Sequence, residues 1–225
     1  LIRVAEACLG RKYGRGPLIV GTSGRYEFRN KGLDVFLAAL KRLAADPLLD
    51  REVLAYITVP AANAGPRKDL QARLADPSLA VDAAQYPFAT HYLENMAWDP
   101  IVGALNDSVL VAPDSKVRVI FVPTYLNGAD GIFDMSYYEL LAGMDVTVFA
   151  SYYEPWGYTP LESVAFSVPT LTTTLAGFGL WVNRLREHPG VEVVRRDDYN
   201  DRQVEEAVAD ALLRFTRLDA GQTDA

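Results

Sequence analysis

A single cysteine, Cys8, and two histidines, His91 and His188, are the only thiol and imidazole ligands in this 225-residue sequence. One cysteine excludes an intrachain disulfide, and histidines so far apart leave no Cys/His cluster with metal-ligand spacing. Long apolar runs are missing too, and none approaches the ~20 residues that a membrane helix needs. The opening LIRVAEACLGRKYGRG carries charges early and lacks the apolar core of a signal peptide, so nothing in it argues for export. Positive charge is in deficit, with 22 Lys and Arg against 29 Asp and Glu, a formal net of −7. That balance opposes non-specific nucleic-acid binding, and an anionic ligand would need a local basic pocket. There is no initiator Met and the first residues read as the middle of a helix, which is expected of a piece of a longer protein.

What is present is apolar residue in short, regularly punctuated runs, 50 % of the chain in all. PLIVGTSGRY (17–26) reads as a strand entering a glycine-bearing loop. NKGLDVFLAALKRLAA (30–45) places Leu33, Phe36, Leu37, Leu40 and Leu43 on one helical face, with Asn30 as the N-cap. EVLAYITVP (52–60) is a second strand, and strand–helix–strand is the pattern of a parallel βαβ unit. Residues 61–117 are less legible: AGPRKDLQARLA reads as helical, SLAVDAAQYPFATHYLENMA is ambiguous, and DPIVGALNDSVL reads as a helix opened by Asp99 and Pro100. Then come a strand over 116–126, a helix over 136–144 with a Ser136/Glu139 capping box, and a strand over 145–153. A helix over 159–168, a strand running into a loop over 169–177, an edge strand over 191–196 and an amphipathic helix over 201–218 complete the pattern. The fold class expected is α/β: one Rossmann-like three-layer α/β/α domain, with ligands at the carboxyl ends of a mostly parallel sheet.

Three loops at those carboxyl ends carry chemistry. YYEPWGYTPLE (152–162) has glutamates at both ends of an eight-residue interval. Thr159 as N-cap, Pro160 at N1 and Glu162 at N3 form a capping box, which accounts for Glu162, while the helix start could also attract a phosphate. No helical periodicity accounts for Glu154, so composition leaves it either a solvated loop carboxylate or a ligand-facing one. Tyr152, Tyr153, Trp156 and Tyr158 suit loop packing or stacking. GTSGRYEFRNKG (21–32) sets Arg25, Arg29 and Lys31 beside a helix N-terminus, with no Walker motif. TTTLAGFG (172–179) places small residues and glycines after another strand, which permits close approach to a ligand or makes an ordinary loop.

GRYEFRNKG (24–32), GIFDMSYYELLAGMDVTVFASYYEPWGYTPLES (131–163) and TTLAGFG (173–179) closely resemble the glycogen synthases, especially the animal and fungal type and its bacterial relatives. Those are retaining glycosyltransferases of the two-Rossmann GT-B architecture, and this chain resembles their C-terminal, donor-binding half. The resemblance implies that Arg25 and Lys31 hold the donor diphosphate and that Glu154 supports positive charge at the transferred glucose. It implies that Glu162 contacts the ribose and Tyr137 stacks on the nucleobase. Tyr158 and Thr159 would meet the diphosphate, and Trp156 and Gly157 would line the glucose side.

The activity implied is transfer of glucose from UDP-glucose or ADP-glucose to the 4-hydroxyl at a non-reducing end of an α-1,4-glucan, with retention, no metal and no further cofactor. A developing oxocarbenium ion wants a carboxylate and a departing diphosphate wants fixed cations, so the residue types suit that chemistry. The partners implied are the nucleotide sugar and the glucan, in a cytoplasmic protein that binds neither nucleic acid nor membrane; oligomeric state is not implied. The family's N-terminal acceptor domain is missing from these residues, so a domain spanning 1–225 is expected to bind donor and to transfer little or nothing alone. His91 reads as structural, and the arginines over 184–202 form no dense cluster of the kind that answers a sugar phosphate. Transfer of another sugar to another acceptor, or a non-catalytic glucan- or partner-binding role, stay open.

Overall fold

The computed structural model describes residues 1–13, 16–80 and 86–218. In chain order its elements are α1 (Ile2–Leu9), β1 (Leu18–Ser23), α2 (Leu33–Ala45), β2 (Val53–Thr58), β3 (Asn63–Pro66), α3 (Lys68–Ala75) and β4 (His91–Leu93). They continue with α4 (Pro100–Leu105), β5 (Val117–Val122), α5 (Tyr137–Leu141), β6 (Val146–Val148) and α6 (Tyr158–Ala165). Last come β7 (Thr170–Thr173), α7 (Gly177–Val182), β8 (Val191–Val194) and α8 (Asp201–Thr216). The main sheet has six strands in the order β5-β2-β1-β6-β7-β8, every neighbouring pair parallel. A short antiparallel pair, β3 and β4, stands apart from it.

The strands are near-continuous apolar runs because helices cover both faces of the sheet. Alternation along each strand then sorts the side chains between two cores. Val53, Ala55 and Ile57 pack with Phe36, Leu40, Val208 and Leu212 of α2 and α8. Leu54 and Tyr56, one residue out of phase, pack with Val4 and Cys8 of α1 and Leu70 of α3. The apolar stripe expected for α2 is the stripe it buries. Residues 191–194 do form an edge strand, and its pattern is only half-buried.

Five local expectations change, the first at 64–66, read with the helix after it but belonging to strand β3, so that α3 starts only at Lys68. Asn30 does not cap α2: its side chain donates to Glu27 Oε2 (2.6 Å), and the helix opens at Leu33 after Gly32 in the left-handed region, φ 66°. The strand expected over 145–153 is regular only over Val146–Val148, because the chain beyond it leaves the ladder to bond with neighbouring loops. α6 opens at Tyr158 behind Gly157 (φ 103°), so Thr159, Pro160 and Glu162 form no capping box. The end of the stretch read as loop, residues 177–179, instead opens α7 (Gly177–Val182). The glycines there serve packing: a Cβ on Gly177 would overlap the Pro155 carbonyl, and one on Gly179 the Thr173 carbonyl. The openings of α4 at Asp99–Pro100 and of α5 at Ser136–Glu139 form as expected. The segment 81–85, within the ambiguous stretch, lies outside the described residues.

Candidate functional site

Chain order runs outward from β1 through β2 to β5, then returns to the other side of β1 as β6 and continues through β7 to β8. The reversal places a crevice between the loops that leave β1 and β6, the position where open α/β sheets bind ligands. Across it the Lys31 ammonium and the Glu154 carboxylate form an ion pair, their side chains only 11 % and 18 % exposed. Two residues 123 apart in sequence thus face each other at the sheet's switch point. Backbone contacts fix both: Tyr152 N–H donates to Asn30 O (2.8 Å), and Glu154 N–H to Leu175 O (3.3 Å). The Glu154 carbonyl in turn accepts from Gly177 N–H (3.1 Å). Arg25 is placed differently. Its guanidinium lies at the surface, 76 % exposed, 3.2 Å from Glu27.

Beyond Glu154 the loop turns through Trp156, which packs against Phe178 and Trp181, and then through Gly157. Gly157 starts α6 early, so Tyr158 and Thr159 supply first-turn amides that face out of the helix, while Pro160 has no N–H to satisfy. Thr159 lines a cavity of about 210 Å³ with Ser23, Gly24, Tyr125 and Tyr137, at the carboxyl ends of β1, β2 and β5. Tyr137 is fixed by a 2.7 Å hydrogen bond between its hydroxyl and Ser23 Oγ, and burial pushes its phenol up to about 12. Glu162, on the outer side of α6, accepts from Tyr138 Oη (3.1 Å), and the Tyr138 ring stacks on Phe166 (5.1 Å between centroids, 6° between planes). The structure therefore gathers Lys31, Glu154, Tyr137, Trp156, Gly157, Tyr158, Thr159 and Glu162 around one end of the sheet. Tyr138 was not singled out from the sequence, although its spacing from Tyr137 and the capping box beside it put it on the same short helix.

His91 sits elsewhere, fully used. Its Nδ1 meets Thr90 Oγ1 (2.9 Å) and its Nε2 meets Asp130 O (3.0 Å), in a position only 1 % exposed. Burial holds its pKa below the ordinary 6.5. The folded chain refuses a proton that the unfolded chain accepts, so the unfolded state binds more protons below that pH. Stability is expected to fall as pH drops through about 6.5, by at most ~1.4 kcal/mol per pH unit from this group. Urea unfolding at pH 7.5 and 5.5 tests this, since His91→Gln should flatten that part of the slope. Among the described residues no group of His, Cys, Asp or Glu is arranged to hold a metal ion, and no helix is long and apolar enough to cross a membrane.

Solved structures share this architecture at low identity. An α,α-trehalose 6-phosphate synthase from Burkholderia multivorans matches 98 % of this chain and 42 % of its own, with a TM-score of 0.53 at 13 % identity. The apo structure of OtsA matches 94 % of this chain and 38 % of its own, with a TM-score of 0.55 at 12 % identity. The fold is the mostly parallel, Rossmann-like α/β/α sheet of the C-terminal half of GT-B glycosyltransferases. Residues 78–223 match the glycogen synthase family model, and the chain belongs to that family. Glycogen [starch] synthase of Neurospora crassa is 29 % identical over 232 aligned positions, covering 78 % of this chain and 33 % of that protein. Isoform 1 of the Saccharomyces cerevisiae enzyme is 36 % identical over 135 positions, covering 57 % of this chain and 19 % of that protein. The chain thus spans about a third, or less, of the length of these relatives.

Proposed function

We propose that this chain is the nucleotide-sugar-binding domain of a glycogen synthase-type retaining transferase, taking UDP-glucose or ADP-glucose for transfer to the 4-hydroxyl of an α-1,4-glucan end. The observation that carries the reading is the Lys31–Glu154 pair across the switch-point crevice, with the open amides of α6 and the Tyr137 cavity beside it. A donor laid along this edge puts its base at Tyr137 and its ribose at Glu162, whose carboxylate Tyr138 orients. Its diphosphate meets Lys31, the Tyr158 and Thr159 end of α6, and Arg25 brought in from the surface. Its glucose lies between Glu154 and the Trp156–Gly157 turn.

Two opposite charges held in one crevice suit the reaction. As the glycosidic bond breaks, negative charge collects on the leaving diphosphate and positive charge at the anomeric carbon; a fixed cation and a fixed anion stabilise the two together. The acceptor and the rest of the groups around the glucose come from a further domain of the longer protein, so residues 1–225 bind donor and transfer little or nothing alone. Calorimetric titration with UDP-glucose and ADP-glucose tests the reading. Saturable binding of at least one, weakened by Arg25→Ala, is expected. Binding of neither, or glucose incorporation into glycogen by these residues alone at an enzyme-like rate, would overturn it.

A further inference from the structure

Arg196 follows β8, two strands beyond β6 and the crevice, and makes no contact in the donor pose. We propose that it is the positioning residue of the site, holding the Ala150–Glu154 segment so that Glu154 faces Lys31; this rests on the donor-site reading.

Arg196 is 2 % exposed, just past the edge strand β8. Its main chain is pinned to the end of β7 on both sides: its N–H donates to Thr174 Oγ1 (2.9 Å), and its carbonyl accepts from that hydroxyl (3.0 Å). From there the guanidinium reaches three partners. Nη1 donates to the Ala150 carbonyl, Nη2 donates to Asp201 Oδ1 (2.9 Å), and the carbon centre stands 3.9 Å over the Tyr152 ring. The Tyr152 hydroxyl closes the circuit on Asp201 Oδ2 (3.1 Å), while the Tyr152 amide is the group bonded to Asn30 O (2.8 Å), one residue before Lys31. One residue therefore ties the end of β7 through its main chain and the start of α8 and the Glu154 loop through its side chain, and the Tyr152 amide carries the link on to the Lys31 loop.

A buried guanidinium is an expensive way to fill space, and an apolar residue of similar volume does that better. What it offers is direction: a planar fork that meets a carbonyl and a carboxylate at once while its face lies on an aromatic ring. A lysine keeps the charge but gathers its three donors on one nitrogen, without the planar fork that spans a carbonyl and a carboxylate while lying flat on a ring. Position of the loop, rather than charge in the core, is the property that distinguishes the two side chains here.

The test is a double-mutant cycle on the complete 225-residue chain, with UDP-glucose or ADP-glucose as titrant, whichever wild type binds. Arg196→Lys is expected to weaken donor binding about tenfold in the wild-type background and less than twofold in Lys31→Ala, because both changes act through one pair. Hydrogen exchange is expected to speed at the amides of Tyr152 and Glu154 while β1 and β2 stay protected. Tyr152→Phe, which keeps the ring face, should bind as wild type, and Tyr152→Leu should resemble Arg196→Lys. Additive effects, or donor affinity unchanged in a folded Arg196→Lys, overturn the proposal. If wild type binds neither donor, the donor-site reading fails on its own. Local exchange at Tyr152 and Glu154 then decides the positioning role: faster exchange there supports it, and unchanged exchange overturns it.

Discussion

Lys31→Ala is expected to weaken donor binding by about one to two orders of magnitude, to a level still within reach of titration, while the fold persists. The ammonium sits in a low-exposure crevice, where a charge-assisted hydrogen bond to a phosphate oxygen contributes about 1.5–3 kcal/mol. Its loss weakens binding by roughly 10- to 150-fold. The same change leaves the Glu154 carboxylate, 18 % exposed, with no cation beside it. Truncating one partner of a well-buried pair costs about 3–5 kcal/mol, and this pair lies close enough to solvent that about 1–3 kcal/mol is the reasonable range. Glu154→Gln separates the two effects, because it removes the carboxylate charge and leaves the phosphate contact in place. Calorimetry should therefore find Lys31→Ala deficient in both melting temperature and UDP affinity, and Glu154→Gln close to wild type in UDP affinity. Equal UDP affinity in all three proteins would show that Lys31 does not face the diphosphate.

The largest loss of stability is expected from a single methyl group at Gly32. The residue has φ 66°, and a Cβ there would overlap the Ala150 carbonyl oxygen that Arg196 holds. The left-handed conformation alone costs a non-glycine residue about 1–2 kcal/mol. Forcing apart two backbones packed this closely adds roughly 1–3 kcal/mol. A total of about 3 kcal/mol corresponds to a fall in melting temperature of roughly 6–12 °C for a domain of this size. Gly128 supplies the control: its φ is 88°, but a Cβ there meets nothing within 4 Å. Gly128→Ala should show only the conformational part, so the difference between the two melting temperatures measures the loop contact. If Gly32→Ala melts no lower than Gly128→Ala, the β1 and β6 loops do not touch as described.

Much of this site was legible because it rests on local sequence. Lys31, Glu154, Tyr137 and Thr159 all follow strands whose apolar runs announce them, and loops after parallel strands gather at one end of a sheet. The Ser136–Glu139 and Asp99–Pro100 helix starts were equally plain, since capping chemistry lies within a few residues. The start of α6 was misplaced for a related reason. Thr159, Pro160 and Glu162 fit a capping box locally, but Gly157 can take φ 103° and brings the chain into the helix earlier. The glycines of 177–179 suggested close approach to a ligand, whereas the carbonyls of Pro155 and Thr173 occupy that space. Arg196 had no local signal, because the partners of its guanidinium lie 46, 44 and 5 residues away, at Ala150, Tyr152 and Asp201.

By itself, the sequence determined the alternation of strands and helices, the parallel sheet that this alternation implies, and the residue types at its carboxyl end. Those properties follow from period, polarity and capping, all of which act over fewer than about ten residues. Only the tertiary structure decided that Lys31 meets Glu154, that Arg25 stays at the surface, that Tyr138 orients Glu162 and that Arg196 joins the loops. The strand order brings together the segments after β1, β6 and β8 that hold residues 31, 154 and 196, and no local rule carries a contact across such distances.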